Sequence, residues 1–285
     1  MMIRKPIGML DSGVGGLTVL KAVKERLPHE SFVYIGDTLR NPYGNKEEKD
    51  IITYTLELAD FLVSQGVKMI VIACNTATAQ ALKEVSQRVS VPVIGVIVPG
   101  SEAAAKLSQT KKVGVLATRS TVDSGFYEET IKSFDSDISI ESLACPQFVD
   151  LVEQNDYRSE NAKKVVAETL EPFKTATMDT LILGCTHFPL LAPFIQEVMG
   201  EDVTLIDSGA LTSQAIERVL EEEQTRAEAG GNPSVQLYTT GSKDAFKKIA
   251  KDWLETDQFT IETIALERLT DKHGRNEHSS HCDSK

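Results

Sequence analysis

The sequence Val-Ile-Ala-Cys-Asn-Thr at residues 71–76 has a counterpart in Ile-Leu-Gly-Cys-Thr-His at residues 182–187. In each segment a short apolar run predicts a buried β-strand, and the residues after it predict a thiol with hydroxyl or amide groups at the strand's carboxyl end. Two equivalent thiols that face one cavity can remove a proton from one face of a bound molecule and return a proton to the other.

A second pair of segments extends this repeat. Ile-Gly-Met-Leu-Asp-Ser at residues 7–12 is similar to Val-Gly-Val-Leu-Ala-Thr at residues 113–118. Asp11 precedes Cys74 by 63 residues, and Ala117 precedes Cys185 by 68. The matched spacing and strand-end chemistry favour an internal duplication that gives two α/β domains of one design. Chance similarity is the alternative, because buried parallel strands are all rich in apolar residues.

Short β-branched runs alternate with longer amphipathic segments, a pattern typical of mostly parallel sheets covered by helices. The predicted strands are residues 6–11, 32–36, 68–73, 92–97, 112–117, 138–143, 179–183, 203–206, 235–239 and 260–264. The predicted helices are residues 15–27, 47–65, 76–88, 99–108, 122–134, 159–173, 188–199, 210–223 and 242–254. Pro99 fits the first position of its helix, and Thr121 fits the cap of the next.

The predicted fold class is α/β, with two similar domains related by a pseudo-twofold axis. Each domain is a mostly parallel sheet flanked by helices, and the active site lies in the cleft between them, since open α/β sheets bind ligands at the carboxyl ends of their strands. We expect a discontinuous first domain of residues 1–97 plus 208–270 and a second of residues 98–207. Residues 271–285 lack apolar periodicity and are predicted to be a flexible tail.

Composition narrows the class of protein. The chain has 285 residues, 41% of them hydrophobic, and no apolar run near the roughly 20 residues needed to cross a bilayer. Its amino terminus lacks a signal-peptide core, so we expect a cytoplasmic protein that does not bind membranes. The formal net charge is −12, without clusters of Lys or Arg, which argues against nucleic acid as the primary partner.

The four cysteines stand at positions 74, 145, 185 and 282, without the spacing of a zinc site or a disulfide framework. A free cysteine usually serves as a small buried apolar residue, and this interpretation suits Cys145. Cys74 and Cys185 differ because they occupy matching positions and precede polar residues. The amides that open each following helix could bind a carboxylate, and we expect them to lower the pKa of both thiols.

Asp11 and His187 are the remaining candidates for chemistry. Asp11 could cap the first helix or act on a proton near Cys74. His187 stands two residues after Cys185, and a partner in hydrogen bonding or proton transfer suits it better than a zinc ligand, since further ligands at suitable spacing are missing. The glycines at residues 13–16 do not have the spacing of a dinucleotide-binding motif, so they more simply allow close backbone approach.

These motifs together resemble the bacterial glutamate racemases, within the aspartate/glutamate racemase superfamily, over residues 6–266. The resemblance rests on residues 11–18, 36–38, 42–44, 72–77 and 184–187, with support from residues 143–146, Phe148, residues 152–153 and 206–209. It implies a cofactor-independent, metal-free racemase that interconverts L- and D-glutamate and supplies D-glutamate for peptidoglycan. A homodimer is also implied.

The resemblance implies a role for several side chains. Cys74 would be the base toward D-glutamate and Cys185 the base toward L-glutamate, with Asp11, His187 and Glu153 assisting. The positions that match the family's substrate-binding residues are Asp11, Ser12, Pro42, Tyr43, Gly44, Asn75, Thr76, Thr118, Thr121, Thr186 and His187. Two positions depart from the family: Asn41 stands where a cysteine is usual, and Phe188 where a tyrosine is usual.

Three other functions compete with this one. A racemase of the same superfamily could act on aspartate or another acidic amino acid. A binding or regulatory module could keep the cleft without chemistry, although loss of one cysteine would be its expected mark. A thiol-redox protein would need a resolving cysteine close in sequence, which is missing.

Overall fold

The computed structural model describes residues 5–174 and 177–270. Its strands are β1 Ile7–Asp11, β2 Phe32–Gly36, β3 Met69–Ile72, β4 Val93–Gly95, β5 Lys112–Ala117, β6 Ser139–Ala144, β7 Thr180–Gly184, β8 Thr204–Asp207, β9 Val235–Thr239 and β10 Thr260–Thr263. Its α-helices are α1 Leu17–Arg26, α2 Glu48–Ser64, α3 Asn75–Arg88, α4 Ile97–Leu107, α5 Arg119–Asp123, α6 Phe126–Phe134, α7 Pro146–Glu153, α8 Glu160–Thr169, α9 Ala192–Met199, α10 Ser208–Glu222, α11 Lys243–Leu254 and α12 Glu267–Thr270.

Two separate parallel sheets confirm the α/β prediction. The first has the strand order β10-β9-β2-β1-β3-β4, and the second has the order β6-β5-β7-β8. When β5 to β8 are matched in sequence order to β1 to β4, the second sheet repeats the order β2-β1-β3-β4. In each repeat the central strand, β1 or β5, is followed by a polar residue. The neighbouring strand, β3 or β7, leads into a cysteine. The shared order supports a duplicated unit.

Burial explains why these runs form strands. All residues of β1, β2, β3 and β7 are buried, as expected of strands covered by helices on both faces. Helix α10 packs against both α1 and α4, so it bridges elements on either side of residue 97. The division of the chain at residues 97 and 207 therefore stays a prediction, as does the pseudo-twofold axis. No helix in the described ranges is long and apolar enough to cross a membrane.

The predicted elements differ from the structure in several places. The helix predicted at 122–134 is divided into α5 and α6, because Gly125 adopts a left-handed conformation with φ of 68°. Pro99 is the third residue of α4 rather than its first, and Thr121 lies inside α5, whose cap is Thr118. Helix α7 was not predicted, although Pro146 occupies its first turn, where a missing N–H costs little.

The predicted tail at residues 271–285, with His273, His278, His281 and Cys282, lies outside the described residues.

Asp179 ties the start of β7 to the turn that follows α4, and so anchors the strand that leads to Cys185. Its carboxylate accepts hydrogen bonds from the Ser108 hydroxyl (2.7 Å) and from the backbone N–H groups of Gln109 (2.7 Å) and Thr110 (2.8 Å). Although burial opposes ionisation, these donors lower the pKa of Asp179 to about 2.

We expect Asp179→Asn to reduce the free energy of unfolding by about 2 kcal/mol at neutral pH, because charge-assisted hydrogen bonds are lost. The folded pKa lies below the unfolded value of about 3.9, so this stabilisation is complete above the unfolded pKa and disappears as pH falls through about 2. Urea denaturation at several pH values measures it, with exposed Asp202→Asn as the matched control. Equal unfolding energies for the two variants would contradict the anchor.

Candidate active site

Cys74 lies at the junction of β3 and α3, buried with 6% of its surface exposed. It is the N-cap residue of α3, and its Sγ accepts a hydrogen bond from the backbone N–H of Ala77 at 3.4 Å. The same sulfur donates to the Ser12 hydroxyl at 3.5 Å. The first cysteine motif and the strand end of β1 therefore meet, as the order of the strands requires.

Asp11 is the last residue of β1 and is fully buried. Its Oδ2 accepts the backbone N–H of Gly13 at 2.9 Å, whereas its Oδ1 has no hydrogen-bond partner in the part of the chain that the structure describes. Helix α1 begins at Leu17 without a side-chain cap, so Asp11 is not its N-cap. Burial raises the pKa of Asp11, and the positive charge of His187 opposes this effect.

Cys185 follows β7 and is buried with 7% of its surface exposed. Its sulfur lies 3.6 Å from Nδ1 of His187, and Nε2 of His187 lies 2.7 Å from Oε1 of Glu153. Glu153 is the last residue of α7, so the unpredicted helix supplies the carboxylate that orients the imidazole. The three side chains form a continuous Cys-His-Glu chain of hydrogen bonds.

The expectation that helix N-termini lower both thiol pKa values is wrong for Cys74. Burial raises the pKa of Cys74 to about 12, and the negative charges of Asp11 and Cys185 act in the same direction. The amide of Ala77 favours the thiolate, but one hydrogen bond from the helix does not offset desolvation. Because Cys185 contributes to this shift, the two sulfurs lie within electrostatic reach of each other.

The two thiols also differ in the backbone that follows them. After Cys185 the chain forms a 3₁₀ turn at Phe188–Leu191, and α9 begins only at Ala192. Pro189 and Pro193 lack N–H groups and occupy the first turns of these two helices. The prediction of two matching α-helix N-termini is therefore wrong, and His187 supplies the positive group at the second cysteine.

His187 is protonated at neutral pH. Burial alone would lower its pKa, but hydrogen bonds and charge interactions with Cys185 and Glu153 outweigh burial and raise the pKa to about 10. The same interaction lowers the pKa of Glu153 against the effect of its partial burial. A buried imidazolium thus lies between the carboxylate of Glu153 and the sulfur of Cys185, with an N–H directed at each.

The glycine-rich turn after β1 packs directly on the second cysteine motif. A Cβ atom at Gly15 would overlap Oγ1 of Thr186 and lie 2.8 Å from Cε1 of His187. The hydroxyl of Thr18 donates to the backbone carbonyl of Thr186 at 3.0 Å. This is the close backbone approach that residues 13–16 were predicted to allow, and it brings the two repeats together.

Three threonine hydroxyls form a second junction between the repeats. Thr76, at the start of α3, lies 2.9 Å from Thr118 and 3.2 Å from Thr121 through their Oγ1 atoms. Oγ1 atoms of Thr118 and Thr121 are 2.9 Å apart. Asn75, beside this group, accepts a hydrogen bond from the hydroxyl of Tyr127 at 2.7 Å. Hydroxyls that donate only to each other can turn toward an anionic ligand.

The segment at residues 42–44 borders the threonine junction. A Cβ at Gly44 would lie 2.9 Å from Cβ of Thr118, whereas Pro42 is exposed. Tyr43 is buried, and its hydroxyl donates to Oδ2 of Asp37 at 2.6 Å. The Tyr43 hydroxyl is therefore committed to the scaffold, and only the backbone of this segment is free to meet a ligand.

Comparison with known proteins agrees with this geometry. Residues 16–216 match the Asp/Glu/Hydantoin racemase family. A glutamate racemase of Carnobacterium sp. (strain St2) is 49% identical over 93% of this chain and 100% of its own length. The chain belongs to the glutamate racemase family. It is therefore a racemase, an isomerase.

Two solved structures of the family are similar to this one. A glutamate racemase of Bacillus anthracis superposes with a TM-score of 0.89 at 39% identity, covering 92% of this chain and 98% of that one. A glutamate racemase of Francisella tularensis, solved in complex with D-glutamate, superposes with a TM-score of 0.86 at 34% identity, covering 93% and 98%.

Several residues of this candidate site were not predicted as such. Thr18 lies in the family-like stretch of residues 11–18 but had no predicted role, and Tyr127 gave no sequence signal. Asn41 was noted only as a departure from the family, yet its Nδ2 donates to Oε1 of Glu153 at 3.0 Å. Cys145 is fully buried and donates to the carbonyl of Leu143 at 3.6 Å, in keeping with a core residue. Burial raises its pKa to about 12, and the negative charge of Cys185 acts in the same direction.

We expect Glu153→Gln to lower the pKa of His187, because the neutral amide no longer stabilises the imidazolium that burial disfavours. Titration of the imidazole signals by NMR measures the shift, and His187→Gln assigns the resonance. The exposed His29 serves as the internal reference for each spectrum. An unchanged His187 titration in Glu153→Gln would contradict the assigned contact.

Proposed function

We propose that this protein interconverts L-glutamate and D-glutamate without a cofactor, using Cys74 and Cys185 as its two bases. The observation that carries the proposal is that each matched strand end presents a buried thiol with its own ionisable partner. Asp11 accompanies Cys74, and the pair of His187 and Glu153 accompanies Cys185. The 49% identity to a glutamate racemase supports glutamate as the substrate.

Racemisation breaks the bond between the α-carbon and its hydrogen, then forms it on the opposite face. In the L-to-D direction, the thiolate of Cys185 removes the proton and the thiol of Cys74 donates its own proton to the other face. The D-to-L direction reverses these roles. One thiol and one thiolate are present throughout, which avoids two adjacent negative charges in a buried site.

The raised pKa of Cys74 suits its role as a proton donor. A thiol with a pKa of about 12 is protonated at rest. For the reverse direction the Cys74 proton passes to the buried carboxyl of Asp11 while the imidazolium of His187 protonates Cys185, so that one thiol and one thiolate remain. The imidazolium of His187 stabilises negative charge on Cys185 and on the developing carbanion. A carboxyl group thus assists Cys74, and an imidazolium assists Cys185.

Polar groups between the two thiols are proposed to hold the amino acid. Thr76, Thr118 and Thr121 offer hydroxyls for the carboxylates. Beside Pro42, the backbone of Tyr43 and Gly44 offers N–H groups for them. The remaining proposed contacts are Asp11, Ser12, Asn75, Thr186 and His187. The unpartnered Oδ1 of Asp11 can accept a hydrogen bond from the substrate ammonium.

The proposed activity is linked to a position for the cleft, an oligomeric state and a role in the cell. We propose that the cleft lies between a domain of residues 1–97 plus 208–270 and one of residues 98–207. We further propose a cytoplasmic homodimer that supplies D-glutamate for peptidoglycan. Sedimentation analysis of the purified protein tests the dimer independently of the catalytic assay.

We expect Cys74→Ala and Cys185→Ala each to abolish racemisation, because in each variant one face of the α-carbon lacks its only base. Circular dichroism of L- and D-glutamate, without added cofactor, measures the rate. In D₂O the wild-type protein should place solvent deuterium on the α-carbon of the product. Turnover retained in either variant would overturn the two-thiol mechanism.

Cys145→Ala is the matched control for these variants, since it removes a buried thiol at another strand end and should keep racemisation. A parallel assay with L- and D-aspartate tests the alternative substrate, and faster racemisation of aspartate would replace the glutamate assignment. Absence of racemisation with both acids would favour a binding module. A disulfide between Cys74 and Cys185, detected by intact mass after mild oxidation, would favour redox chemistry.

We expect Gly15→Ala to reduce kcat/KM at least about tenfold, because the added methyl group must displace Thr186 and His187. Gly100→Ala is the matched control, since its added Cβ would meet only the Ser208 hydroxyl at an ordinary 3.4 Å. Thermal unfolding checks that both variants fold. Equal activity of the two variants would show that the close approach at Gly15 does not position the site.

A further inference from the structure

Asn41 connects the two halves of the site. It precedes the segment at residues 42–44 that follows β2, whereas Glu153 ends α7 in the other repeat. Nδ2 of Asn41 donates to Oε1 of Glu153 at 3.0 Å, and the same oxygen lies 2.7 Å from Nε2 of His187. A single carboxylate oxygen therefore receives one donor from each repeat.

The Asn41 carboxamide also packs on the turn that holds Asp11. A Cβ at Gly13 would lie 3.0 Å from Cγ and 3.1 Å from Oδ1 of Asn41, so the amide lies over the bare backbone of Gly13. The N–H of Gly13 is the donor to Asp11. Oδ1 of Asn41 is buried without a hydrogen-bond partner within residues 5–174 and 177–270, so only the nitrogen end of the amide makes a polar contact.

Glu153 needs such support, because its side chain is 30% exposed and stands at the last residue of a helix. A carboxylate in this position can turn into solvent and leave His187 without its partner. The Asn41 donor favours the orientation in which Oε1 faces the imidazole. Because Nε2 is then held, Nδ1 is directed at Cys185.

We propose that Asn41 is a positioning residue that fixes the orientation of Glu153. His187 then contacts and assists Cys185 rather than Cys74. The inference rests on the proposed racemase function, because its consequence is an unequal effect on the two proton transfers. Loss of the Asn41 donor raises the barrier of the step at Cys185 and leaves the step at Cys74 almost unchanged.

The overall rate alone cannot reveal this inequality. Two enantiomers have the same free energy, so kcat/KM must fall by the same factor in both directions for any variant. Substrates deuterated at the α-carbon separate the steps, because each reports how far the removal of that deuteron limits the rate. Cys185 removes it from the L substrate, and Cys74 removes it from the D substrate.

The variants are Asn41→Ala and Asn41→Asp. The aspartate has the shape of asparagine but no N–H donor, and it places a second negative charge beside Glu153. If Asn41 only fills space, Asn41→Asp should therefore keep the wild-type rate. We expect both variants to lower kcat/KM about tenfold, as for loss of a hydrogen bond to a charged group. The isotope effect on kcat/KM should rise with deuterated L-glutamate and fall with deuterated D-glutamate.

Two controls keep the test independent of folding. Asn45→Ala removes an exposed asparagine in the same segment and should leave the rates and both isotope effects as in the wild-type protein. In a Glu153→Ala background, Asn41→Ala should cause no further loss, because its only route of action is already removed. Thermal unfolding identifies any variant that is not folded.

Isotope effects that change equally for both enantiomers, or a full additional loss in the Glu153→Ala background, would overturn the role of Asn41 while the racemase function stands. A wild-type protein that does not racemise glutamate would overturn both proposals. Divergent isotope effects together with a non-additive double variant would support the assignment.

Discussion

The contact of Gly15 with Thr186 and His187 is the constraint on which the rest of the site depends. At this point the backbone of the turn after β1 lies directly against the side chains of Thr186 and His187, in the segment after β7. The strand ends that carry Asp11 and Cys185 therefore meet, although they lie in different sheets. Because both segments continue from buried parallel strands, neither can retreat without moving a strand in the core.

The same strand order in the two sheets does not give the two thiols the same surroundings. Cys74 caps α3 and faces a buried carboxyl, which raises its pKa, while Cys185 faces an imidazolium held by Glu153. Racemisation has an equilibrium constant of one, yet the proposed mechanism does not require its two bases to be alike. On that mechanism the thiol of Cys74 donates the proton in the L-to-D direction, and the sulfur of Cys185, beside the imidazolium, accepts one.

The sequence predicted what is local and repeated. The apolar runs before Cys74 and Cys185 predicted β3 and β7. The nearly equal spacing of the two cysteines from residues 11 and 117 predicted two similar sheets, which the strand order supports. The glycines at 13–16 predicted close backbone approach. Each of these depends on residue type along a few positions, where periodicity and backbone sterics dominate.

What the sequence did not predict depends on contacts between distant segments. Helix α7, which lies between β6 and α8, is short. It ends in Glu153, whose carboxylate orients His187. The direction of the Cys74 pKa shift required the burial of the thiol and the distance to Asp11, neither of which a motif specifies. In the sequence Asn41 is only a departure from the family's usual cysteine, whereas the fold places its amide between the two repeats, 3.0 Å from a glutamate 112 residues away.

Two buried oxygens point to the reason for this arrangement. Oδ1 of Asp11 and Oδ1 of Asn41 both lack hydrogen-bond partners in the described parts of the chain, and both lie beside the turn at residues 13–16. An unsatisfied buried acceptor costs about 1–3 kcal/mol, so a fold selected for stability alone would pair or remove it. On the proposed function, Oδ1 of Asp11 is an acceptor for the substrate ammonium, and the stability lost in the free protein is regained as binding energy. The overall charge of −12 would repel an acidic amino acid, so affinity must come from such local acceptors, hydroxyls and amides rather than from the field of the whole molecule.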